Sequence, residues 1–177
     1  MMPVAPQLTA DEVERGYNNR AAVADHAQWF ARWAAMSAAA FASERVVRDL
    51  RYGPAPKETL DLFLPRAPVR ATFLFLHGGY WRSLDKADHA FVAPPLTAQG
   101  IAVAVANYDL CPGVSIAAIV EETARAVAWL AREGRANGAG AAYSVYGKRT
   151  FATTATPGFS VSLGAATGVT KITGAAA

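Results

Sequence analysis

A histidine followed by two glycines, His77-Gly78-Gly79, stands directly behind the apolar run Ala71-Thr72-Phe73-Leu74-Phe75-Leu76. Glycine carries no Cβ, so an adjacent pair reaches positive φ and leaves its N–H groups open to a ligand. At the carboxyl end of a buried strand, such a pair forms a cradle for developing negative charge. Acyl transfer needs one, because its carbonyl oxygen becomes an oxyanion, and one preorganised donor contributes about 3 kcal/mol of transition-state stabilisation. The bland alternative is a tight Gly-Gly turn beside a buried, hydrogen-bonded histidine. Cys111 is the one cysteine, which excludes an intrachain disulfide and a multi-cysteine metal cluster. As a thiol nucleophile it would need a basic partner within hydrogen-bond reach; a lone cysteine is ordinarily buried and inert, so a structural role is expected.

The elements that must position this loop follow from periodicity. Thr9-Ala10-Asp11-Glu12 matches a capping box, and the segment from Thr9 to Ala42 reads as helical with a break near Gly16 to Asn19. Its Trp29, Phe30, Trp33 and Met36 recur at helical spacing and give an apolar face that packing explains better than a lid. Val46 to Tyr52 and Thr59 to Leu64 alternate across Gly53-Pro54-Ala55-Pro56, which predicts an antiparallel pair at a sheet edge. Residues 71–76 and the run Ile101 to Ala106 are continuously apolar, as expected of strands buried on both faces. Leu84 to Gln99 predicts a helix interrupted at Pro94-Pro95 and closed by Gly100. Val114 to Arg132 predicts a long amphipathic helix, with Ile116, Ile119, Val120, Val127, Trp129 and Leu130 mostly on one side. Strand, helix, strand, helix implies right-handed parallel crossovers, hence an α/β fold with a helix-flanked, mostly parallel sheet.

Three segments result: a helical segment at 1–44, an α/β unit at 45–138, and a tail at 139–177. Residues 141–177 are dominated by Ala, Thr and Gly and contain no Asp, Glu or His, which predicts weak strands or disorder. All 14 acidic residues lie at or before Glu133, so the first 133 residues carry 13 bases against 14 acids and the net charge of +3 comes from the tail. No basic stripe interleaved with aromatics appears, which argues against nucleic acid as a partner. No apolar run approaches the roughly 18 residues of a membrane span. The first seven residues show no basic region followed by an apolar one, so the cytoplasm is the expected address.

The chain resembles the bacterial kynurenine formamidase (arylformamidase) and esterase branch of the α/β-hydrolases, in the N-terminal part of that fold. Three segments carry the likeness: Tyr17-Asn18-Asn19-Arg20, His77-Gly78-Gly79-Tyr80-Trp81-Arg82, and Asn107-Tyr108-Asp109-Leu110-Cys111-Pro112. It implies hydrolysis of an aryl formamide or small carboxylic ester through an acyl-enzyme, with no cofactor and no metal. It also implies that Gly78 and Gly79, with Tyr80 as a further candidate, supply oxyanion donors from the loop after the third strand. By the same likeness His77 braces the loop and Trp81 lines an acyl pocket, although such an aromatic is as often plain core. The expected partner is a small-molecule ester or formamide, with no nucleic acid and no membrane; a homodimer stays open.

The chemistry then stops short. The fold places its nucleophile in G-x-S-x-G, on a strand-to-helix turn after one more strand, followed by an acid and then a histidine. The 177 residues contain no G-x-S-x-G, and nothing after Glu133 is Asp, Glu or His. Ser162, in Ser160-Val161-Ser162-Leu163-Gly164, is the weak candidate, and a serine without its base loses most of its activation. An inactive chain is therefore expected. A frame shift near residue 140 and a non-catalytic ligand-binding or oligomerisation module that keeps the loop both account for the tail. A sheet ending at its fourth strand would also expose a hydrophobic edge unless residues 141–177 cover it.

Overall fold

The computed structural model describes residues 7–139 and the backbone of three later strands, at 143–146, 159–163 and 169–174. Helix α1, Ala10–Tyr17, starts as its capping box requires: the Thr9 hydroxyl accepts from the Glu12 N–H, and the Glu12 carboxylate accepts from the Thr9 N–H at 2.8 Å. Asn18 ends α1 and its side chain then accepts from the Ala21 N–H at 3.0 Å, opening the short α2, Asn19–Ala22. The expected break is thus an asparagine that closes one helix and caps the next. Helix α3, His26–Ser43, follows. Its docking face is Phe30, Trp33, Ser37, Ala40 and Phe41, whereas Trp29 and Met36, expected on that face, are 45% and 44% exposed. The helix contributes only the narrower stripe because its neighbour is the short segment 86–92, against which Trp33 stacks on Phe91 with ring centroids 5.9 Å apart.

Strands β1, Arg45–Arg51, and β2, Thr59–Leu64, form the expected antiparallel pair at a sheet edge. β3, Ala71–Leu76, and β4, Ile101–Ala106, coincide with the two apolar runs and pair in parallel. β4 is buried on both faces; β3 alternates, with Thr72 and Leu74 buried and Phe73 and Phe75 only half-buried. Between them, the helix expected over Leu84 to Gln99 is instead a 3-10 segment at Lys86–Val92 followed by α4, Ala93–Thr97. The prolines are the reason: Pro94 and Pro95 lack the N–H groups that would continue a helix, so they can only start a new one. Helix α5, Ile116–Glu133, is capped by the Ser115 hydroxyl and buries Ile119, Ala126 and Leu130, while Ile116 stays exposed.

Sheet order is β1-β2-β4-β3-β5-β7-β6, where β5 is Tyr143–Tyr146, β6 is Phe159–Leu163 and β7 is Val169–Gly174. The parallel pairings, expected to make up most of the sheet beyond its antiparallel edge pair, are confined to its centre, β4-β3-β5, and the flanking pairs are antiparallel. Parallel neighbours require long crossovers, and among the described residues the connections through the 3-10 segment with α4 and through α5 supply them. The tail contributes strands to the sheet, so the outer side of β3 is paired with β5 rather than left as an open edge. Two apolar layers result. Leu60, Leu62, Leu74, Ala102, Ala104 and Ala106 face α5, and Phe63, Val103 and Val105 face α3 and α4, as the period-two pleat dictates.

One polar cluster is built into this core. Asp61 on β2 is fully buried and takes the Lys86 ammonium at 2.6 Å; a bulge in β1 lets Asp49 reach the same ammonium at 2.8 Å and donate its own N–H to Asp61. Lys86 also donates its backbone N–H to the Asn107 side chain at 2.8 Å. Removing one partner of a buried pair strands the other charge at about 3 to 5 kcal/mol. Lys86→Met is therefore expected to lower unfolding free energy by about that amount in urea titrations, and Lys86→Met with Asp61→Leu to recover much of it. Equal destabilisation in the single and double variants would show that the pair carries no such coupling.

Candidate functional site

Register brings the candidate residues together. Leu76 lies opposite Ala106, so His77 and Asn107-Tyr108 leave the sheet side by side at the carboxyl end of two parallel strands. The Tyr108 ring stacks on the His77 imidazole at 4.4 Å, and its hydroxyl donates to the His77 carbonyl at 2.5 Å. Burial pushes the Tyr108 hydroxyl up to about 12, so it stays a donor at neutral pH. His77 is buried, and its Nδ1 donates to the Gly78 carbonyl at 2.7 Å; that partner can only accept, which places the ring proton on Nδ1. Nε2 is then an acceptor, buried and without a partner among the described residues. Burial, followed in smaller measure by the neighbouring His89, holds the imidazole below its ordinary range and keeps it neutral.

Gly79 and Trp81 are held as well. The Gly79 carbonyl accepts from the Arg82 N–H at 3.1 Å and from the Ser83 hydroxyl at 3.0 Å. The Trp81 carbonyl accepts from the Cys111 N–H at 2.7 Å, tying the loop to the segment after β4. Gly79, Tyr80 and Trp81 all have positive φ, at 114°, 57° and 59°. Only the first is a glycine, and holding Tyr80 and Trp81 there costs of order 1 to 3 kcal/mol each. Among the described residues, no acceptor takes the N–H of Gly78, Gly79, Tyr80 or Trp81. The loop thus spends its carbonyls on the scaffold and leaves its donors free, which is what stabilising an oxyanion requires. A Cβ on Gly78 would meet nothing within 4 Å, whereas one on Gly79 would fall 2.1 Å from the Ser83 carbonyl oxygen.

Other candidates are placed as follows. Tyr80 is 54% exposed and Trp81 half-buried. Cys111 is free and half-buried, contributing its backbone N–H to the loop. Ser162 pairs with Lys171 in the β6–β7 hairpin, on the edge strand; three strand spacings separate β6 from β3, about 14 Å across the sheet. Its side chain lies outside what the structure describes. The strand that the parallel order sets beside β3 is β5, and the residues after it are Gly147-Lys148-Arg149-Thr150, without a serine. Sequence reasoning gave no role to Tyr108, Ser83 or Arg20. Tyr108 and Arg20 lie in the quoted segments and Ser83 directly follows one, but which carbonyl each serves is a matter of three-dimensional reach. A depression of about 460 Å³ lined by Ala67, Pro68, Arg70, Gln99 and Gly100 lies at the other, amino end of β3 and β4.

Comparison with known proteins agrees with this fold. A kynurenine formamidase from Danio rerio is 33% identical over 85 residues, covering 47% of this chain and 29% of that protein. One from Drosophila melanogaster is 31% identical over 86 residues, 48% of this chain and 28% of its own. Among solved structures, a proposed thioesterase from a Silicibacter species superposes with a TM-score of 0.68 at 31% identity, over 76% of this chain and 50% of that one. The chain is thus similar to kynurenine formamidases over about half its length and, in fold, to esterases of the α/β-hydrolase kind. Esterase B of Lactobacillus rhamnosis also superposes, at a TM-score of 0.52 and 27% identity, covering 67% of this chain and 41% of that one. The chain spans under a third of the formamidases it matches and half of the thioesterase, so its coverage fits the N-terminal part of such a fold. No family model matches. Among the described residues, no helix is long and apolar enough to cross a membrane.

Gly79→Ala is expected to lower the urea midpoint by the equivalent of about 1 to 3 kcal/mol through backbone strain, and Gly78→Ala to change it by less than about 0.5 kcal/mol. Equal effects would contradict the geometry of the loop. His77 supplies a pH prediction. Its folded pKa lies below the unfolded value of about 6.5, so the unfolded chain binds more protons as pH falls through that window. The stability His77 contributes is complete above about pH 6.5 and is lost as pH falls towards its depressed folded value. Urea midpoints from pH 7.5 to 5 should fall more steeply in the native sequence than in His77→Gln; parallel curves would remove His77 as the cause.

Proposed function

We propose that this chain carries the oxyanion half of a serine-type hydrolase site for an aryl formamide or a small carboxylic ester, and that the 177-residue chain does not itself turn such substrates over. One observation carries the reading: four consecutive N–H groups, from Gly78 to Trp81, have no acceptor among the described residues. Gly78, Gly79 and Tyr80 are the donors assigned to the oxyanion, on the open side left by the absent Cβ of Gly78. His77 braces them through the Gly78 carbonyl, and Trp81 flanks the acyl group. The reaction class follows from the relatives, a kynurenine formamidase and an esterase among them.

Inactivity follows from what is missing around the loop. An oxyanion hole stabilises a charge that a nucleophile must first create, and a serine needs a neighbouring base. His26, His77 and His89 are the chain's histidines, and all precede β5. His77 spends Nδ1 on the loop, and His89 places its own Nδ1 at 3.1 Å from the Asp85 carbonyl. The second reading, a module that binds carbonyl compounds without cleaving them, rests on the same free donors.

Hydrolysis of p-nitrophenyl acetate separates these outcomes. The expected rate equals buffer, with no change on Gly78→Asp or on treatment with a serine-directed inhibitor. Turnover abolished by both would overturn the inactive assignment. Saturable binding of an aryl formamide without turnover, lost in Gly78→Asp, would favour the binding module.

A further inference from the structure

The tight turn at the tip of the loop presents a physical puzzle. Gly79 and Arg82 close it by one backbone bond of 3.1 Å, with Tyr80 and Trp81 as its central residues, both at positive φ. Turns of that pattern ordinarily place Asn, Asp or Gly at their centre, because a Cβ is strained there. Two bulky aromatics hold such a conformation only where surrounding structure over-determines it. Two outside ties are visible: the Cys111 N–H on the Trp81 carbonyl, and a chain of side-chain bonds on the Gly79 carbonyl.

That chain begins far away in sequence. The Arg20 guanidinium donates to the Ser83 hydroxyl at 3.1 Å, and the Ser83 hydroxyl donates to the Gly79 carbonyl at 3.0 Å. Arg20 is itself steadied: Asn18 caps the short helix that carries it, and its guanidinium lies 5.6 Å from the centre of the Phe30 ring. The consequence follows from peptide planarity. In a trans peptide the C=O of one residue and the N–H of the next point in opposite directions. Fixing the Gly79 carbonyl towards Ser83 therefore fixes the Tyr80 N–H on the opposite side. His77 does the same one residue earlier, since its hold on the Gly78 carbonyl aims the Gly79 N–H. With Arg20 already donating to it, the Ser83 oxygen serves as acceptor on one side, which commits its own proton to Gly79.

We propose that Arg20 and Ser83 are positioning residues that aim the Tyr80 N–H as an oxyanion donor, so that the N-terminal helices set the geometry of the loop. This rests on the oxyanion assignment of Tyr80. Neither residue touches a substrate; both act through the Gly79–Tyr80 peptide plane. The amide of Gly79, aimed separately by His77, serves as an internal control.

Nitrogen-15 NMR of the intact 177-residue chain tests this in two arms. Residual dipolar couplings report the direction of each N–H. In Ser83→Ala and Arg20→Met the coupling of Tyr80 should change while those of Gly79 and of residues 101–106 stay within error, and Ser83→Thr should restore it. An unchanged Tyr80 coupling in both variants overturns the relay, and so does a change spread equally over Gly79 and Tyr80. The second arm titrates sodium formate, a small carboxylate that mimics the oxyanion. The native chain should show saturable shifts at Gly79 and Tyr80, with the Tyr80 shift lost in Ser83→Ala. No formate shift in the native chain would sink the oxyanion assignment, while the first arm would still decide the relay as a device of loop geometry. A Tyr80 shift that persists in Ser83→Ala overturns the proposal.

Discussion

Because β3 and β4 run in parallel with Leu76 opposite Ala106, everything of chemical interest leaves the sheet at one end and in one plane. That register is the constraint from which the rest of the site follows. It sets the Tyr108 ring against His77 and brings its hydroxyl onto the His77 carbonyl. It also sets Asn107 where its side chain takes the Lys86 N–H and donates to Asp85 at 2.7 Å, so the end of β4 and the start of the 3-10 segment are joined. A slip of one residue would turn every side chain of β4 to the opposite face and separate these partners. Asn107 also donates its backbone N–H to the Thr59 carbonyl, and its own carbonyl accepts from the buried Tyr52 hydroxyl, which locks the same point to β2.

The loop shows how strain and scaffold are divided. Tyr80 and Trp81 occupy a backbone region that side chains disfavour, and the cost is offset by three ties from two distant parts of the chain. Tyr108 and Cys111 reach it from behind β4, and Arg20 reaches it through Ser83 from the N-terminal helices. Each tie ends on a carbonyl, and those on His77 and Gly79 leave the following N–H, of Gly78 and of Tyr80, without an acceptor among the described residues. Preorganised dipoles of this kind stabilise charge without having to reorient when it appears. The buried Lys86–Asp61 pair, with Asp49, fixes the bulged edge of β1 to the segment that follows the loop. Glu58 plays a comparable part on the other face, fully buried and bound to Arg125 of α5 at 2.5 Å; a Cβ on Gly53 would fall 2.2 Å from its carboxyl carbon.

The boundary of legibility runs through particular residues. Periodicity was enough for β3, β4 and α5, because a sheet buried between helices demands continuous apolar runs and a helix on its flank demands a stripe. Local chemistry was enough for the Thr9 capping box, which is closed within four residues. The helix expected over Leu84 to Gln99 with an interruption at Pro94-Pro95 is divided just before those prolines, but its first half is a 3-10 segment, which apolar periodicity does not distinguish from an α-helix; Trp29 and Met36 went astray because helical spacing says nothing about how wide the neighbouring surface is. The place of the tail in the sheet was beyond reach. Small, uncharged residues carry a weak strand signal, and pairing β5 with β3 depends on a parallel partner some seventy residues earlier in sequence.

By itself, the sequence determined the α/β order of elements, the glycine pair at the end of an apolar strand, and the absence of Asp, Glu and His beyond Glu133. These are local or compositional properties, fixed by residue type and spacing. Only the tertiary structure decided that the Gly78 and Gly79 carbonyls are held while the neighbouring N–H groups stay free, and that Arg20 reaches the loop across 63 residues of chain. It also decided that Ser162 lies on an edge strand three places from β3. Those facts depend on strand order and on which side of a peptide plane a distant donor falls. Neither is written in the spacing of residues along the chain.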